Sequence, residues 1–144
     1  MFNTKTEEWS QGPTMKEKRM VHSCFYDGHT NSIFAVGGKN HEDLDSFGGA
    51  VNQLASTEQW KLDTNQWIST PSLPGPLSHS AGVASKSMEY IGFIAGGYTN
   101  YNYTKKVLRL RRRNLVWEVA PQQLKKARRD HSIVNLPYDQ IHGC

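Results

Sequence analysis

A set of landmarks that recurs along the chain constrains its fold more than any other feature. A histidine followed by serine opens three segments, at His22, His79 and His131. The first two segments then run in the same order through an apolar stretch, a glycine pair and a tryptophan. Any one landmark would be weak evidence, but the ordered set, with histidine-to-histidine spacings of 57 and 52 residues, indicates a repeat architecture.

Two copies of the repeat contain the full set of landmarks. In each copy the glycine pair ends an apolar run, and the tryptophan follows a large apolar residue at a fixed distance. Trp9 fits the tail of an earlier copy. The landmark residues are Gly37, Gly38, Trp60 and Trp67 in one copy, and Gly96, Gly97, Leu110 and Trp117 in the next.

Together these residues resemble the kelch repeat family, including the kelch-like adaptor proteins, whose units of ~50 residues form four-stranded propeller blades. The resemblance covers residues 9–136. It implies an all-β fold, an incomplete kelch-type β-propeller of four-stranded antiparallel blades with about two full blades plus parts of two. We assign residues 1–136 to the repeat region, with copies at 1–13 (partial), 14–73, 74–123 and 124–136 (partial), and residues 137–144 to a tail.

The copies differ in ways that the repeat must accommodate. Pro76 stands where the alignment on histidine places Arg19 and Arg128 in their copies. The stretch 39–56 is longer than its counterpart 98–106, which predicts an extended loop in the first copy.

Within the first full copy we predict strands at residues 20–26, 32–36, 57–62 and 66–70. The second of these is apolar throughout, which indicates burial on both faces between neighbouring sheets. Glycine pairs ending such a strand let the backbone turn sharply. Trp67 and Trp117 are predicted to be wedges between blades, because tryptophan buries a large apolar surface.

The three histidines are candidates for a metal site, but they occur once per copy without a partner at ligand spacing. A structural hydrogen-bonding role is therefore favoured for them. Cys24 and Cys144 have no zinc-type spacing either. Because no nucleophile, base and orienting group come together, the sequence predicts no catalytic residue, no metal, no cofactor and no enzyme activity.

Basic residues are unevenly spread, although the formal net charge is only +4. Many of the 17 lysines and arginines crowd into residues 109–129. One interpretation is a surface for an anionic partner or a nuclear-import signal, and the other, which we favour, is a solvated strand face and loop. Nucleic acid is not the expected partner. No signal peptide or apolar span of ~20 residues is present, which predicts a cytoplasmic protein without membrane contact.

The kelch resemblance implies protein binding, as in substrate receptors of cullin-type ubiquitin ligases and in actin-binding proteins. By the same resemblance, loops and the start of the inner strand would provide the contacts. The structural repeat residues are then the histidines, glycine pairs and tryptophans already named. The candidate partner-binding residues are Arg19, Asn40, His41, Asp43, Tyr98, Asn100, Tyr101 and Arg128.

The alternative is a fragment similar to galactose oxidase, a group that shares kelch-type blades and uses copper with a cross-linked tyrosine and cysteine. Tyr26, Tyr90 and Cys24 supply those residue types. A propeller needs at least ~4 blades to close. The chain is therefore expected to be a fragment, or to need further blades or self-association.

Overall fold

The computed structural model describes residues 1–41, 51–99 and 102–136 and shows an all-β protein. Two four-stranded antiparallel sheets form its body, and three two-stranded hairpins accompany them. None of the described residues belongs to a helix long and apolar enough to cross a membrane.

Each four-stranded sheet is a meander into which one hairpin is inserted between the second and third strands. The first sheet contains β3 (Ser23–Asp27), β4 (Ser32–Val36), β7 (Thr57–Lys61) and β8 (Gln66–Thr70). The second contains β9 (Ala81–Ala84), β10 (Tyr90–Ala95), β13 (Val107–Arg111) and β14 (Trp117–Val119). The hairpins are β1 (Phe2–Asn3) with β2 (Glu8–Trp9), β5 (Lys39–His41) with β6 (Val51–Gln53), and β11 (Tyr98–Thr99) with β12 (Asn102–Tyr103).

The predicted four-stranded antiparallel sheets are confirmed, whereas the described residues show no closed propeller ring. The strands predicted at 32–36 and 66–70 have those bounds, and the one predicted at 57–62 ends at Lys61. The strand predicted from residue 20 begins only at Ser23. Val21 interrupts it with a φ of 47°, so that Met20 pairs separately with Lys39.

The two sheets pack against each other, and the main apolar cluster lies between them. Phe25 and Phe34 of the first sheet meet Ile94, Leu110 and Trp117 of the second. A Cβ added at Gly92 would lie 2.6 Å from the ring of Phe25, so this contact requires glycine. Leu73 and Leu77 from the connection between the sheets complete the cluster.

A buried ion pair also joins the two sheets. Arg112 donates to both carboxylate oxygens of Asp27, at 2.9 and 3.2 Å, and Asp27 is only 1% exposed. Burial raises the pKa of Asp27, but the hydrogen bonds from Arg112 and Thr30 outweigh that effect and hold the pKa below its usual value. The pair is therefore charged and bidentate at neutral pH.

The glycine pairs connect each copy to the following one. All four glycines have positive φ, between 61° and 108°, where side chains are disfavoured. Gly38 donates its N–H to the carbonyl of Leu77 at 2.8 Å, and Gly97 donates to that of Arg128 at 2.7 Å. A Cβ on Gly97 would lie 2.6 Å from the Ser78 carbonyl oxygen, which is too close for any side-chain carbon.

These contacts correct the alignment of the histidines. Val21, His79 and Asp130 occupy equivalent places, because each has a positive φ near 50° and their backbones are linked in series. His79 donates its N–H to Val21 at 2.9 Å, and Asp130 donates to His79 at 3.1 Å. His22 and His131 lie one residue after this position, so the three histidines are not equivalent.

The same shift corrects the place given to Pro76. Leu77, not Pro76, is equivalent to Arg128, since each accepts the N–H of the preceding copy's glycine pair. Met20 and Ser78 form corresponding isolated bridges, which also makes Leu77 equivalent to Arg19. A register shift between Tyr90 and Gly92 adds one residue to the second copy, but it lies after His79; the histidines mismatch because Ser80, not His79, stands in the place of His22.

Candidate interaction surface

Arg19, a predicted contact residue, has a side chain that is 0% exposed. Its guanidinium donates to Glu58 at 2.6 Å and to the Gly37 carbonyl at 2.7 Å. Glu58 in turn accepts the backbone N–H groups of Lys16 and Glu17, at 2.8 and 3.2 Å. The pair anchors the entry segment to the first sheet, and Arg19 has no surface left to present to a partner.

Several other predicted contact residues lie at or beyond the ends of the described hairpins. Asn40 is half-buried and pairs with Asn52 across β5 and β6. The backbone of His41 pairs with Val51, and the side chain of His41 is outside the description. Asp43, Asn100 and Tyr101 lie outside the described residues.

Tyr98 lies at the centre of a row of side chains along the two inserted hairpins. Its ring packs against Tyr103 with centres 5.6 Å apart. The Lys39 ammonium lies 5.5 Å from the centre of the Tyr98 ring, and the Arg129 guanidinium lies 5.2 Å from that of Tyr103. We name Lys39, Tyr98, Tyr103 and Arg129 the hairpin ledge.

The hairpin ledge is held by hydrogen bonds between successive copies. The Gln53 side chain of the first hairpin donates to the Tyr98 carbonyl at 2.7 Å and to the Ser78 hydroxyl at 2.8 Å. Tyr103 is 53% exposed, so the outer end of the ledge faces solvent. The ledge therefore combines aromatic surface, two cations and a fixed backbone.

Lys39 begins the loop 39–56 and Tyr103 ends the aromatic loop 98–103, both of which the sequence offers as candidate contact segments, whereas Arg129 belongs only to the basic run. Lys39 follows the first glycine pair as Tyr98 follows the second, so the repeat itself carried a signal for Lys39. Tyr103 pairs with Tyr98 across two strands of two residues each, and Arg129 comes from a later segment of the chain. No local pattern indicates that last contact.

The basic run divides into two parts with different environments. In its first half, three of the four arginines have acidic partners: Arg112 pairs with Asp27, Arg109 and Arg111 bind Glu118 at 2.8 and 2.9 Å, and Arg111 also binds Glu89 at 2.8 Å. Burial raises the pKa of Glu118, but Arg111 and Arg109 outweigh it and hold the pKa below its usual value. This half is a structural network on the second sheet.

The other half is exposed, and within the described parts of the chain its two lysines form no ion pair, whereas Arg129 lies 3.3 Å from the carboxylate of its neighbour Asp130. Leu124 donates its N–H to the Lys105 carbonyl at 2.9 Å, which brings two pairs of consecutive lysines side by side. Arg128, a predicted contact residue, is exposed nearby and uses its carbonyl to accept from Gly97. We name Lys105, Lys106, Lys125 and Lys126 the lysine patch.

A cleft of about 240 Å³ adjoins the lysine patch, since Lys106 lines it, and Thr99 and Thr104 of its lining are the chain neighbours of Tyr98 and Tyr103 in the hairpin ledge. One wall is Pro74, Gly75 and Pro76, in the connection between the sheets, and the other includes Thr99, Lys106 and Val119. The cleft therefore lies between the second hairpin and the base of the second sheet.

The tryptophans have three different environments. Trp117 is 5% exposed and belongs to the cluster between the sheets. Trp67 is half-buried on the outer face of the first sheet, packed on Trp60 and donating to the Pro13 carbonyl at 3.0 Å. Trp9 packs against Phe2 and is 81% exposed.

The histidines do not converge on one another. The His79 ring contacts the Asp130 carboxylate at 2.6 Å, whereas the Nδ1 atoms of His22 and His131 are buried without a hydrogen-bond partner. Burial, followed by the charge of Arg19, lowers the pKa of His22. Across the described ranges, no three His, Cys, Asp or Glu side chains are grouped to hold a metal ion.

Of the residue types considered for a copper oxidase, Tyr90 is separated from Cys24 and Tyr26. Cys24 and Tyr26 lie on the outer face of the first sheet, by their pairing with Ala35 and Ile33. Tyr90 belongs to the second sheet, where it packs under the guanidinium of Arg109 at 4.5 Å. No protein-family model matches the chain.

Proposed function

We propose that this chain is a protein interaction module built of kelch-type repeats, and that it binds its partner through the hairpin ledge. The observation that supports this proposal is the unbroken row of cation, two aromatic rings and cation, contributed by three successive copies. Tyrosine and arginine are enriched among residues that dominate binding energy at protein interfaces.

The scaffold beneath the hairpin ledge suits this role. Each hairpin leaves a buried strand through a glycine pair whose positive φ values and backbone hydrogen bonds fix its direction. Binding residues carried by loops on such a rigid base lose little conformational entropy when a partner docks. By the kelch resemblance, the partner is the substrate of a ubiquitin ligase or a cytoskeletal protein such as actin.

Site-specific photocrosslinking in cells tests the proposal. Tyr103→benzoylphenylalanine places the reactive group on the hairpin ledge, and Tyr26→benzoylphenylalanine is the matched control, since Tyr103 and Tyr26 are 53% and 51% exposed. We expect a defined protein to be captured from position 103 alone, and to be identifiable by mass spectrometry.

The captured protein is then purified and its affinity measured by calorimetry. Lys39→Ala with Arg129→Ala should weaken binding by about tenfold or more, as truncation of interface anchors does. Arg113→Ala, which removes an exposed arginine from the opposite edge, should leave the affinity unchanged. Equal capture from both positions, or no change in affinity in the double variant, would overturn the proposal.

A further inference from the structure

We infer that the partner segment recognised beside the hairpin ledge is a short acidic peptide that carries one bulky apolar side chain. This inference rests on the proposed interaction function and specifies the chemistry of the partner. Two features carry it: the lysine patch and the cleft that adjoins it.

The lysine patch supplies the charge argument. Lys105, Lys106, Lys125 and Lys126 are all exposed, and within residues 1–41, 51–99 and 102–136 no carboxylate pairs with them. By contrast, the arginines at 109, 111 and 112 each form an ion pair with an acidic residue. Clustered like charges without counter-ions repel one another, and an acidic ligand relieves that repulsion.

The cleft supplies the apolar argument. Its volume of about 240 Å³ falls below the ~300–1,000 Å³ that small-molecule sites occupy, and is on the scale of a single bulky side chain. Pro74, Pro76, Leu77 and Leu108 give it apolar walls, and Lys106 stands at its edge. An apolar side chain seated there would bring neighbouring residues of the same peptide toward the lysine patch.

A peptide is favoured over a nucleic acid or a membrane surface because the site combines charge with a small apolar cleft. Nucleic acid binding would draw on stacking platforms along a basic groove. Here the two tyrosine rings of the ledge are packed against each other and against cations. An anionic membrane surface would engage the lysines by charge alone and would leave the apolar cleft unused.

Gly75 allows the cleft to be filled without disturbing the fold. A Cβ added there meets no atom within 4 Å, and its φ lies outside the region that disfavours side chains. Gly75→Phe therefore places a ring in or across the cleft. Gly28→Phe is the control, because Gly28 lies in the β3–β4 turn at the opposite edge of its sheet and has only ordinary contacts.

The experiment measures fluorescence anisotropy of the full chain with four labelled probes. They are a pool of acidic twelve-residue peptides with one central Leu or Phe, the same pool with Gln for Glu, a single-stranded oligonucleotide, and vesicles containing phosphatidylserine. We expect the acidic apolar pool to bind best, with an affinity that falls as salt rises.

Two variants separate the charge from the cleft. Lys125→Gln with Lys126→Gln should weaken binding of the acidic pool about fivefold, whereas Lys61→Gln with Lys86→Gln, of equal charge change on the opposite edge, should not. Gly75→Phe should weaken it about tenfold or more, and Gly28→Phe should not. Thermal melting of each variant checks that the fold is retained.

Preferential binding of the oligonucleotide or the vesicles, or an acidic pool that binds no better than its Gln counterpart, would overturn this inference. The proposed function has its own readout in crosslinking from position 103. Capture of a partner there, together with failure of the acidic pool, would reject the acidic peptide and leave the interaction module standing.

Discussion

The first and second sheets have the same strand order, yet the faces that look toward the preceding part of the chain differ sharply. On the first sheet this face carries Cys24 and Ile33, with Trp60 against Gly12 of the entry segment. The equivalent positions on the second sheet are Gly82 and Gly92, which make room for Phe25. The same backbone position can therefore carry a side chain or be glycine, depending on the size of the side chain that the preceding segment packs against it.

The ion pair of the first copy has an apolar counterpart in the second. Arg19 corresponds to Leu77, and Glu58 corresponds to Leu108, since Thr57 and Val107 pair with the residues that precede the glycine pairs. Arg19 and Glu58 are buried together, and both leucines belong to the main apolar cluster. These two positions of the repeat therefore require side chains that match each other, and either an ion pair or two apolar residues can meet that requirement.

The largest effect should come from breaking the ion pair on one side only. Arg19→Leu or Glu58→Leu leaves a buried charge without its partner, which we expect to reduce the free energy of unfolding by about 3–5 kcal/mol. The double variant, which gives the first copy the second copy's leucines, should lie within about 1–2 kcal/mol of wild type. Guanidinium denaturation followed by circular dichroism measures all three, and a double variant worse than both singles would refute the equivalence.

A smaller effect is expected at the ion pair between the sheets. Asp27→Asn should cost about 2–3 kcal/mol at neutral pH, because hydrogen bonds to a charged group are lost. The folded pKa of Asp27 is lowered, so its contribution is present above the unfolded value of ~3.9 and is lost as pH falls through the folded pKa. The difference between wild type and variant should therefore begin to shrink below about pH 4 and continue to shrink as pH falls through the lowered folded pKa. A constant difference down to pH 2 would contradict this assignment.

The glycine-lined face of the second sheet predicts a further loss. Gly92→Ala should destabilise the protein by about 1–3 kcal/mol, since the added Cβ meets the Phe25 ring at 2.6 Å. Gly75→Ala, in open space, should change stability by less than about 0.5 kcal/mol. Phe25→Leu in the Gly92→Ala background should recover part of the loss in thermal melts, and no recovery would argue against this contact.

The smallest effect is expected on the hairpin ledge. Lys39→Ala should cost no more than about 0.5–1 kcal/mol, the scale of an exposed cation–aromatic contact. Its denaturation midpoint should be close to that of wild type, in contrast to the variants inside the sheets. A loss above about 2 kcal/mol would show that the ledge supports the fold and is not free for recognition.

Local pattern was sufficient for much of the architecture. The apolar run before Gly37 and the polar turn before Gln66 predicted strands 32–36 and 66–70 with their observed bounds. Glycine pairs are informative because positive φ disfavours residues with a side chain, most strongly at the 103° and 108° of Gly38 and Gly97. These signals are encoded within a few residues, so no knowledge of distant contacts is needed.

Long-range packing decided the features that local pattern missed. Arg19 resembled a surface residue because its partner Glu58 lies on a distant strand. His79 is the same residue type as His22 but corresponds in position to Val21, and only the hydrogen bond from His79 to Val21 and the bridges of Met20 and Ser78 reveal this. Part of the hairpin ledge was predicted from the sequence, because Tyr98 was a candidate contact residue. Arg129 is brought beside Tyr103 only by the fold.

The hydrogen bonds from Gly38 to Leu77 and from Gly97 to Arg128 make the cooperative unit longer than the sequence repeat. Each copy places one of its own donors on a carbonyl of the next, so separation of two copies exposes that amide to solvent. Exchange of the Gly38 amide with deuterium therefore reports the opening of the boundary between the sheets, and exchange at Gly97 reports the opening of the boundary that follows.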